Sequence, residues 1–259
     1  IGLSTTKGLG AGAKPQIGRD AALEDKDRLR EVVEGCDMLF ITAGMGGGTG
    51  TGAAPIIAEI ARELNILTVA VVTTPFKFEG KKRSELADEG IVALRSCVDS
   101  LITIPNDKIL TILGNSIEME KAFSEADKVL QGAVQGIAEL ITKVGRINLD
   151  FADVKTVMSE AGTAMMGTGM GTGIDRAEDA YENAIKSPLL DDIQITNAKG
   201  LLVNITSDKS ISVDEYEMIM EKAHGLAAEN ATIVIGQTQD NRAKMKDTVK
   251  ITIVATGLN

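Results

Sequence analysis

Gly46-Gly47-Gly48-Thr49-Gly50-Thr51-Gly52 follows the apolar run Met38-Leu39-Phe40-Ile41 and precedes Ala53-Ala54-Pro55-Ile56-Ile57-Ala58-Glu59-Ile60-Ala61. The first run reads as a buried strand and the last has helical spacing. The seven residues therefore lie where a strand, Met38–Ala43, turns into a helix, Ala53–Leu64. Glycine there lets backbone N–H groups approach a ligand without side-chain clash. A helix N-terminus adds partial positive charge and unpaired donors, a combination that suits phosphate. Thr49 and Thr51 add hydroxyls, and Thr51 or Gly52 is expected to cap the helix. No Gly-Lys-Ser/Thr follows, so this is not a P-loop, and the glycine spacing is not that of a dinucleotide G-x-G-x-x-G loop.

Outward from this stretch, Ile66–Thr73 is a second buried strand, which completes a βαβ unit with a right-handed crossover. Lys81–Cys97 reads as a helix and Ser100–Ile104 as a third strand, ended by Pro105-Asn106-Asp107. Apolar spacing of three to four residues persists from Ser116 to Thr142, which predicts one helix of six or seven turns. Beyond it, helices are expected at Phe151–Glu160, Asp175–Ile185 and Val213–Ala228. Strands are expected at Gly200–Thr206, Ala231–Gly236 and Thr248–Thr256. Thr163–Gly173 opens as a strand, and Gly167–Gly173 reads as its glycine-rich end and loop rather than a second phosphate loop. The fold class is α/β, with a Rossmann-like parallel-sheet domain (1–115), a central spine helix (116–142) and a second α/β domain with a mixed sheet (143–259).

The chain has 259 residues, 44% hydrophobic and 25% charged, the composition of a soluble globular protein. No Trp, 2 Tyr and 5 Phe leave an aliphatic core. A net charge of −10 argues against general nucleic-acid or anionic-membrane binding. No apolar run approaches the roughly 20 residues of a membrane span. Cys36 and Cys97 have no metal or redox spacing and read as free, semi-buried thiols of a reducing cytoplasm. His224, the sole histidine, reads as a helix-surface or helix-end residue and cannot build a His-rich zinc site.

Several further segments carry a resemblance: Gly8-Leu9-Gly10-Ala11-Gly12-Ala13, Thr74–Arg83, Ile104-Pro105-Asn106-Asp107, Ala122–Asp127 and Asn148–Val154. With the Gly46–Gly52 loop and in this order, they make the chain similar to the tubulin/FtsZ superfamily, and within it to the bacterial FtsZ family of cell-division GTPases. The resemblance runs from about the first residue to the last. The family pattern begins with a strand and a glycine-rich first nucleotide loop and ends in a tail with a partner-binding peptide. None of these is in this sequence, so the chain is expected to be a fragment of a longer protein.

The resemblance implies GTP or GDP as the ligand, with Mg²⁺ carried by the phosphates, and narrows the phosphate reading of Gly46, Gly47, Gly48, Thr49, Gly50 and Thr51 accordingly. Gly12 and Ala13 match a loop that senses the terminal phosphate; alone, Gly10–Ala13 would read as a turn. Glu79 and Arg83, four apart, match residues on the ribose and phosphate side; alone they would read as a surface salt bridge on one helix face. Asn106 matches a residue near the sugar and base. Phe123 and Asp127 match a stacking ring and a base-reading carboxylate. A carboxylate accepts the N1–H and amino donors of guanine, and adenine has no such pair. Asn148, Asp150 and Asp153 match a loop that enters the nucleotide site of the next subunit; without the family, Asp150 reads as the cap of Phe151–Glu160. The implied protein is a GTPase that polymerises head-to-tail with itself in the cytoplasm at the mid-cell division ring. It meets other ring proteins through the tail and does not insert in the membrane. Alternatives are a non-hydrolysing fragment or relative that only assembles or binds a partner, and a nicotinamide oxidoreductase, for which no catalytic His–acid pair is evident.

Overall fold

The computed structural model describes residues 1–114, 117–142, 150–160, 162–187, 189–190, 195–208, 211–240 and 245–258. The chain divides into two compact units, residues 1–130 and 131–259.

The first unit contains α1 (Leu3–Thr6), α2 (Pro15–Glu24), α3 (Lys26–Val33), β1 (Met38–Gly44), α4 (Thr49–Glu63), β2 (Leu67–Thr74), α5 (Lys81–Arg95), β3 (Ser100–Pro105), α6 (Asn106–Leu113) and the start of α7 (Met119–Thr142). The continuous aliphatic run of β2 makes it the middle strand. It pairs in parallel with β1 (Ile41 opposite Ala70) and with β3 (Val71 opposite Ile102). One core joins Ile41, Ala58, Ala70, Val72, Leu94 and Leu101 beneath α4 and α5. A second joins Ala22, Val33, Ile56, Ile60 and Ile66, where α2 and α3 meet α4.

Two expectations need correction here. Helix α4 begins at Thr49, not Ala53. Glycine has poor helix propensity, but tertiary contact overrides it: a Cβ on Gly50 would lie 2.5 Å from the Gly44 carbonyl, and one on Gly52 1.9 Å from that of Pro15. Helices α2, α3 and α6 also occupy segments where the sequence pattern picks out no element. Pro15 at the first turn of α2 fits the position where no N–H is needed.

Helix α1 is tethered by one side chain. The Glu24 carboxylate accepts the Ser4 N–H (2.8 Å), the Thr5 N–H (2.9 Å) and the Thr5 hydroxyl (2.6 Å). These bonds, the Thr5 hydroxyl first, lower its pKa from 4.5 to about 2. A depressed carboxyl pKa gives a contribution that is fully present above 4.5 and disappears as pH falls toward 2. Amide exchange at Ser4 and Thr5 is therefore expected to accelerate between pH 4.5 and 2. Glu24→Gln is expected to exchange fast at every pH, and a flat exchange profile in the parent chain would remove this tether from the account.

The second unit contains the end of α7, α8 (Phe151–Met158), β4 (Thr163–Thr172), α9 (Arg176–Ile185), β5 (Ala198–Ser207), α10 (Val213–Leu226), β6 (Ala227–Gln239) and β7 (Thr248–Leu258). β7 lies between β4 and β5, antiparallel to both, and β5 pairs in parallel with β6, so this sheet is mixed. Its core is aliphatic around Tyr181, with Leu201, Val203, Ile219, Ile251 and Ile253. The Arg176 guanidinium pairs with Glu215 (2.8 Å) and, by that hydrogen bond, holds the Glu215 carboxyl below the usual range. Ser212 and Glu215 form a capping box at the start of α10.

Gly167–Gly173 is not a strand end and loop: β4 runs through Thr172 and pairs with β7 along its length. The alternate glycines place α9 directly on the strand. A Cβ on Gly167, Gly169 or Gly171 would come within 2.2 Å of the Ala184, Ala180 or Arg176 carbonyl. Period-two glycine here marks close helix–strand approach rather than a turn.

Candidate functional site

The strands β1, β2 and β3 end side by side at Gly44, Thr74 and Pro105. In an open parallel sheet, ligands bind outside the carboxyl ends of the strands. A cleft of about 220 Å³ lies there. Gly44, Met45 and Gly47 form the part after β1, Thr73 and Pro75 the part after β2, and Asn106 the part after β3. Glu79 and Arg83 form another part of the lining, and Phe123, Ala126, Asp127 and Leu130 present one face of α7 to it.

The loop after β1 holds most of its own donors. Met45 N–H bonds the Thr73 carbonyl (2.9 Å), Gly46 N–H the Thr51 hydroxyl (2.9 Å) and Gly48 N–H the Gly12 carbonyl (2.6 Å). The Gly47 N–H has no acceptor among the described residues. The N–H groups of Thr49, Gly50 and Thr51 follow in the first turn of α4, where a helix supplies no acceptor. Gly46 adopts φ +92°, and a Cβ there would lie 2.6 Å from the Arg83 carbonyl; Gly48 is similarly closed by Gly12 and Ala11. A Cβ on Gly47 meets nothing within 4 Å. Four glycines of the motif are therefore fixed by packing, and Gly47 alone is open on the cleft.

The structure gathers Gly47, Glu79, Arg83, Asn106, Phe123 and Asp127 of the sequence-predicted set on this cleft. It does not bring Gly12, Ala13, Gly46, Gly48, Thr49, Gly50 or Thr51 to the lining. Gly12 acts one step back, through its carbonyl. Neither Thr51 nor Gly52 caps α4: Gly48 occupies the N-cap. Thr51 is buried, its hydroxyl braces Gly46, and it faces a separate groove between α2, α4 and α5.

Glu79 and Arg83 do not share a helix face. Glu79 ends a 3-10 turn (Lys77–Glu79), and Gly80, at φ +99°, separates it from α5. The two side chains nonetheless pair, and Glu79 also accepts the Phe76 N–H (2.9 Å). Asn106 is buried, and its Oδ1 has no partner among the described residues. A buried amide oxygen left open in a cleft wall points to a ligand donor. Phe123 is 38% exposed, and its ring contacts those of Phe76 and Phe78. Asp127 is exposed, and Lys128 turns to Glu125 (2.7 Å). Gly44, Met45, Thr73, Pro75, Ala126 and Leu130 escape the sequence reading. Helical spacing from Phe123 (positions 126, 127 and 130) is the signal that finds two of them.

Asn148 lies outside the described residues. In the second unit, Asp150 accepts the Ala152 N–H (3.1 Å) and N-caps α8, and Asp153 is exposed in the first turn. Cys36 is exposed rather than semi-buried, Cys97 is buried, and both are free. His224 is exposed in the last turn of α10. Among the described residues, no cluster of three His, Cys, Asp or Glu could hold a metal ion. No described helix is long and apolar enough to cross a membrane.

Comparison with known proteins gives a consistent result. Residues 1–114 match the Tubulin/FtsZ family GTPase domain, and residues 162–259 match the FtsZ family C-terminal domain. The chain is 60% identical to the "Cell division protein FtsZ" of Coxiella burnetii over 258 residues, 100% of this chain and 66% of that protein. It is 58% identical to that of Pseudomonas aeruginosa, covering 100% of this chain and 65% of the relative. The chain thus spans about two thirds of the length of these relatives. A solved structure, "FtsZ dimer, empty (M. jannaschii)", shares 44% identity at a TM-score of 0.94, over 99% of this chain and 74% of that one. CetZ1 from Haloferax volcanii, at 19% identity and TM-score 0.82, shares the fold. By identity and coverage together, the chain belongs to the FtsZ branch of the tubulin/FtsZ family.

Proposed function

We propose that the cleft of the first unit binds GTP and GDP, and that the chain hydrolyses GTP after head-to-tail assembly with copies of itself. One observation carries this reading. A single cleft at the strand ends presents the unpaired Gly47 N–H beside the start of α4 and, in its wall, the open Oδ1 of buried Asn106. The first two are donors placed for phosphate and the third is an acceptor placed for a sugar or base.

In this reading Gly46–Thr51 form the phosphate loop, with Gly12 and Ala13 behind it on the terminal-phosphate side. Glu79 and Arg83 take the sugar and its phosphate end, Phe123 stacks on the base and Asp127 accepts its donors. Asn148, Asp150 and Asp153 of a second copy orient the attacking water. Phosphoryl transfer needs chiefly positioning and electrostatic stabilisation, which such a composite site supplies. Mg²⁺ would be held chiefly by the phosphate oxygens, as is usual for this cation at phosphate-transfer sites.

A solved relative is described as a dimer, which supports self-assembly. An interface that joins two different faces grows an open filament. The relatives are named cell division proteins, which supports the same role here, and we assign the chain to the mid-cell ring in the cytoplasm, with other ring proteins as partners. Domain roles follow: nucleotide binding in 1–115, a spine in 116–142 and the catalytic loop with its α/β support in 143–259.

The test is GTP turnover against protein concentration. A shared site gives a sharp threshold, and Asp153→Ala loses turnover at least 100-fold, the scale of one lost preorganised transition-state interaction, while keeping bound nucleotide. Turnover strictly proportional to concentration from the lowest values contradicts it. The second reading, assembly without hydrolysis, draws on the Asp150 carboxylate already engaged as the α8 cap. It is the one supported if bound nucleotide and filaments appear without phosphate release.

A further inference from the structure

Phe78 has no evident reason to be an aromatic residue. It sits in the 3-10 turn, 53% exposed, and is not part of the cleft wall. Its ring stacks on that of Phe76, 4.9 Å away at 10°. Phe123 stands perpendicular to both, 5.1 Å from Phe76 at 89° and 6.2 Å from Phe78 at 88°. The three centroids thus mark a triangle with two short sides meeting at Phe76, and each ring is in contact with the other two. Phe76 is fully buried and fixed; Phe123 is the member that reaches the cleft.

An isolated Phe at the start of a helix turns freely between rotamers. A ring held at right angles by two parallel partners has one orientation, since aromatic pairs favour offset stacks and T contacts. Phe78 supplies the second of those two partners. It also sits next to Glu79, whose carboxylate lines the same cleft and bonds the Phe76 N–H. The trio therefore connects the wall that faces a planar base to the wall that faces the sugar.

We propose that Phe78 is a positioning residue for base recognition: it fixes the Phe123 ring for stacking on a purine without itself touching the ligand. This rests on the nucleotide reading of the cleft. Binding energy held in a preorganised ring is lost when the ring must be ordered on binding.

The experiment compares two ligands of one site. GDP reports the base and the phosphates, and inorganic pyrophosphate, measured by competition with a fluorescent GDP, reports the phosphates alone. Phe78→Leu is expected to weaken GDP about three- to tenfold, the scale of one or two aromatic contacts, and to leave pyrophosphate unchanged. Phe78→Tyr, which keeps the ring, is expected to restore GDP. Unchanged GDP affinity in Phe78→Leu overturns the proposal. An equal loss for GDP and pyrophosphate overturns it too, because that marks a general disturbance of the turn. If the unmutated chain binds neither ligand, the nucleotide reading fails and takes this inference with it.

Discussion

Gly47→Ala is expected to fold normally and lose nucleotide, whereas Gly52→Ala, five residues away, is expected to lose the fold of the first unit. The two glycines look alike in sequence and differ in what surrounds them. A Cβ on Gly52 would lie 1.9 Å from the Pro15 carbonyl oxygen and 2.7 Å from the Arg19 nitrogen. Both atoms are backbone of α2, so neither can swing aside as a side chain would. Overpacking of this kind costs about 3 kcal/mol or more, a large part of the stability of a small domain. Gly47 has no atom within 4 Å of its hypothetical Cβ, and its φ lies outside the left-handed region. Alanine there loses less chain entropy on folding, so stability is expected to stay level or rise by about 0.5 kcal/mol. The methyl group would stand in the cleft beside the free Gly47 N–H, where a phosphate oxygen must approach. GDP affinity is expected to fall at least tenfold, about 1.4 kcal/mol. Urea unfolding and calorimetric GDP titration separate the two effects. A Gly47→Ala protein that binds GDP as the parent does would remove this loop from phosphate binding, and a Gly52→Ala protein of normal stability would contradict the packing.

The same contrast explains what could be read from sequence and what could not. Local patterns fit the strands well: β2 is rich in aliphatic residues and β7 in β-branched ones, and each lies between two neighbours. The strand–loop–helix order points to the strand ends where the cleft lies, because ligand sites of parallel sheets follow from topology. Glycine defeated the reading wherever contact outweighed propensity. Gly50 and Gly52 are helical because α4 packs against β1 and α2, and Gly167, Gly169 and Gly171 are extended because α9 lies on them. These partners are elements of their own, so no single-element pattern shows the contact. The cleft lining suffers from the same distance. Thr73 and Pro75 belong to it only because β2 lies beside β1, and the rings of Phe76, Phe78 and Phe123 meet across a separation that no periodicity spans. Charge spacing misled in a different way. Glu79 and Arg83 are four apart and do pair, but the turn at Gly80, not a shared helix, brings them together.

Asp127→Asn is expected to exchange guanine for xanthine as the favoured base. Asp127 is exposed on the cleft face of α7, and its carboxylate has no ion-pair or hydrogen-bond partner among the described residues. Two acceptor oxygens match the N1–H and amino donors on one edge of guanine. Asparagine offers one acceptor and one donor. Guanine then keeps a single matched hydrogen bond and faces the new amide with a donor against a donor. Xanthine carries N1–H beside a carbonyl, a donor and an acceptor, which pair with the amide in register and oppose the carboxylate. Loss of a hydrogen bond to a charged group is worth about 1.5–3 kcal/mol, so GDP is expected to weaken roughly ten- to hundredfold. Xanthosine diphosphate is expected to strengthen by a comparable factor. Stability should change by less than about 0.5 kcal/mol, as for other exposed positions free of contacts. Competition titrations of both diphosphates against parent and variant measure the swap directly. Equal weakening of both would mean that the substitution disturbs α7 rather than a contact to the base, and equal strengthening would mean that only the charge of Asp127 is felt. No change in either would place the base elsewhere in the cleft, with the open Asn106 oxygen as the next acceptor to probe. A reversal of preference is the outcome that only direct pairing explains, because removing a charge or disturbing α7 shifts both nucleotides in the same direction.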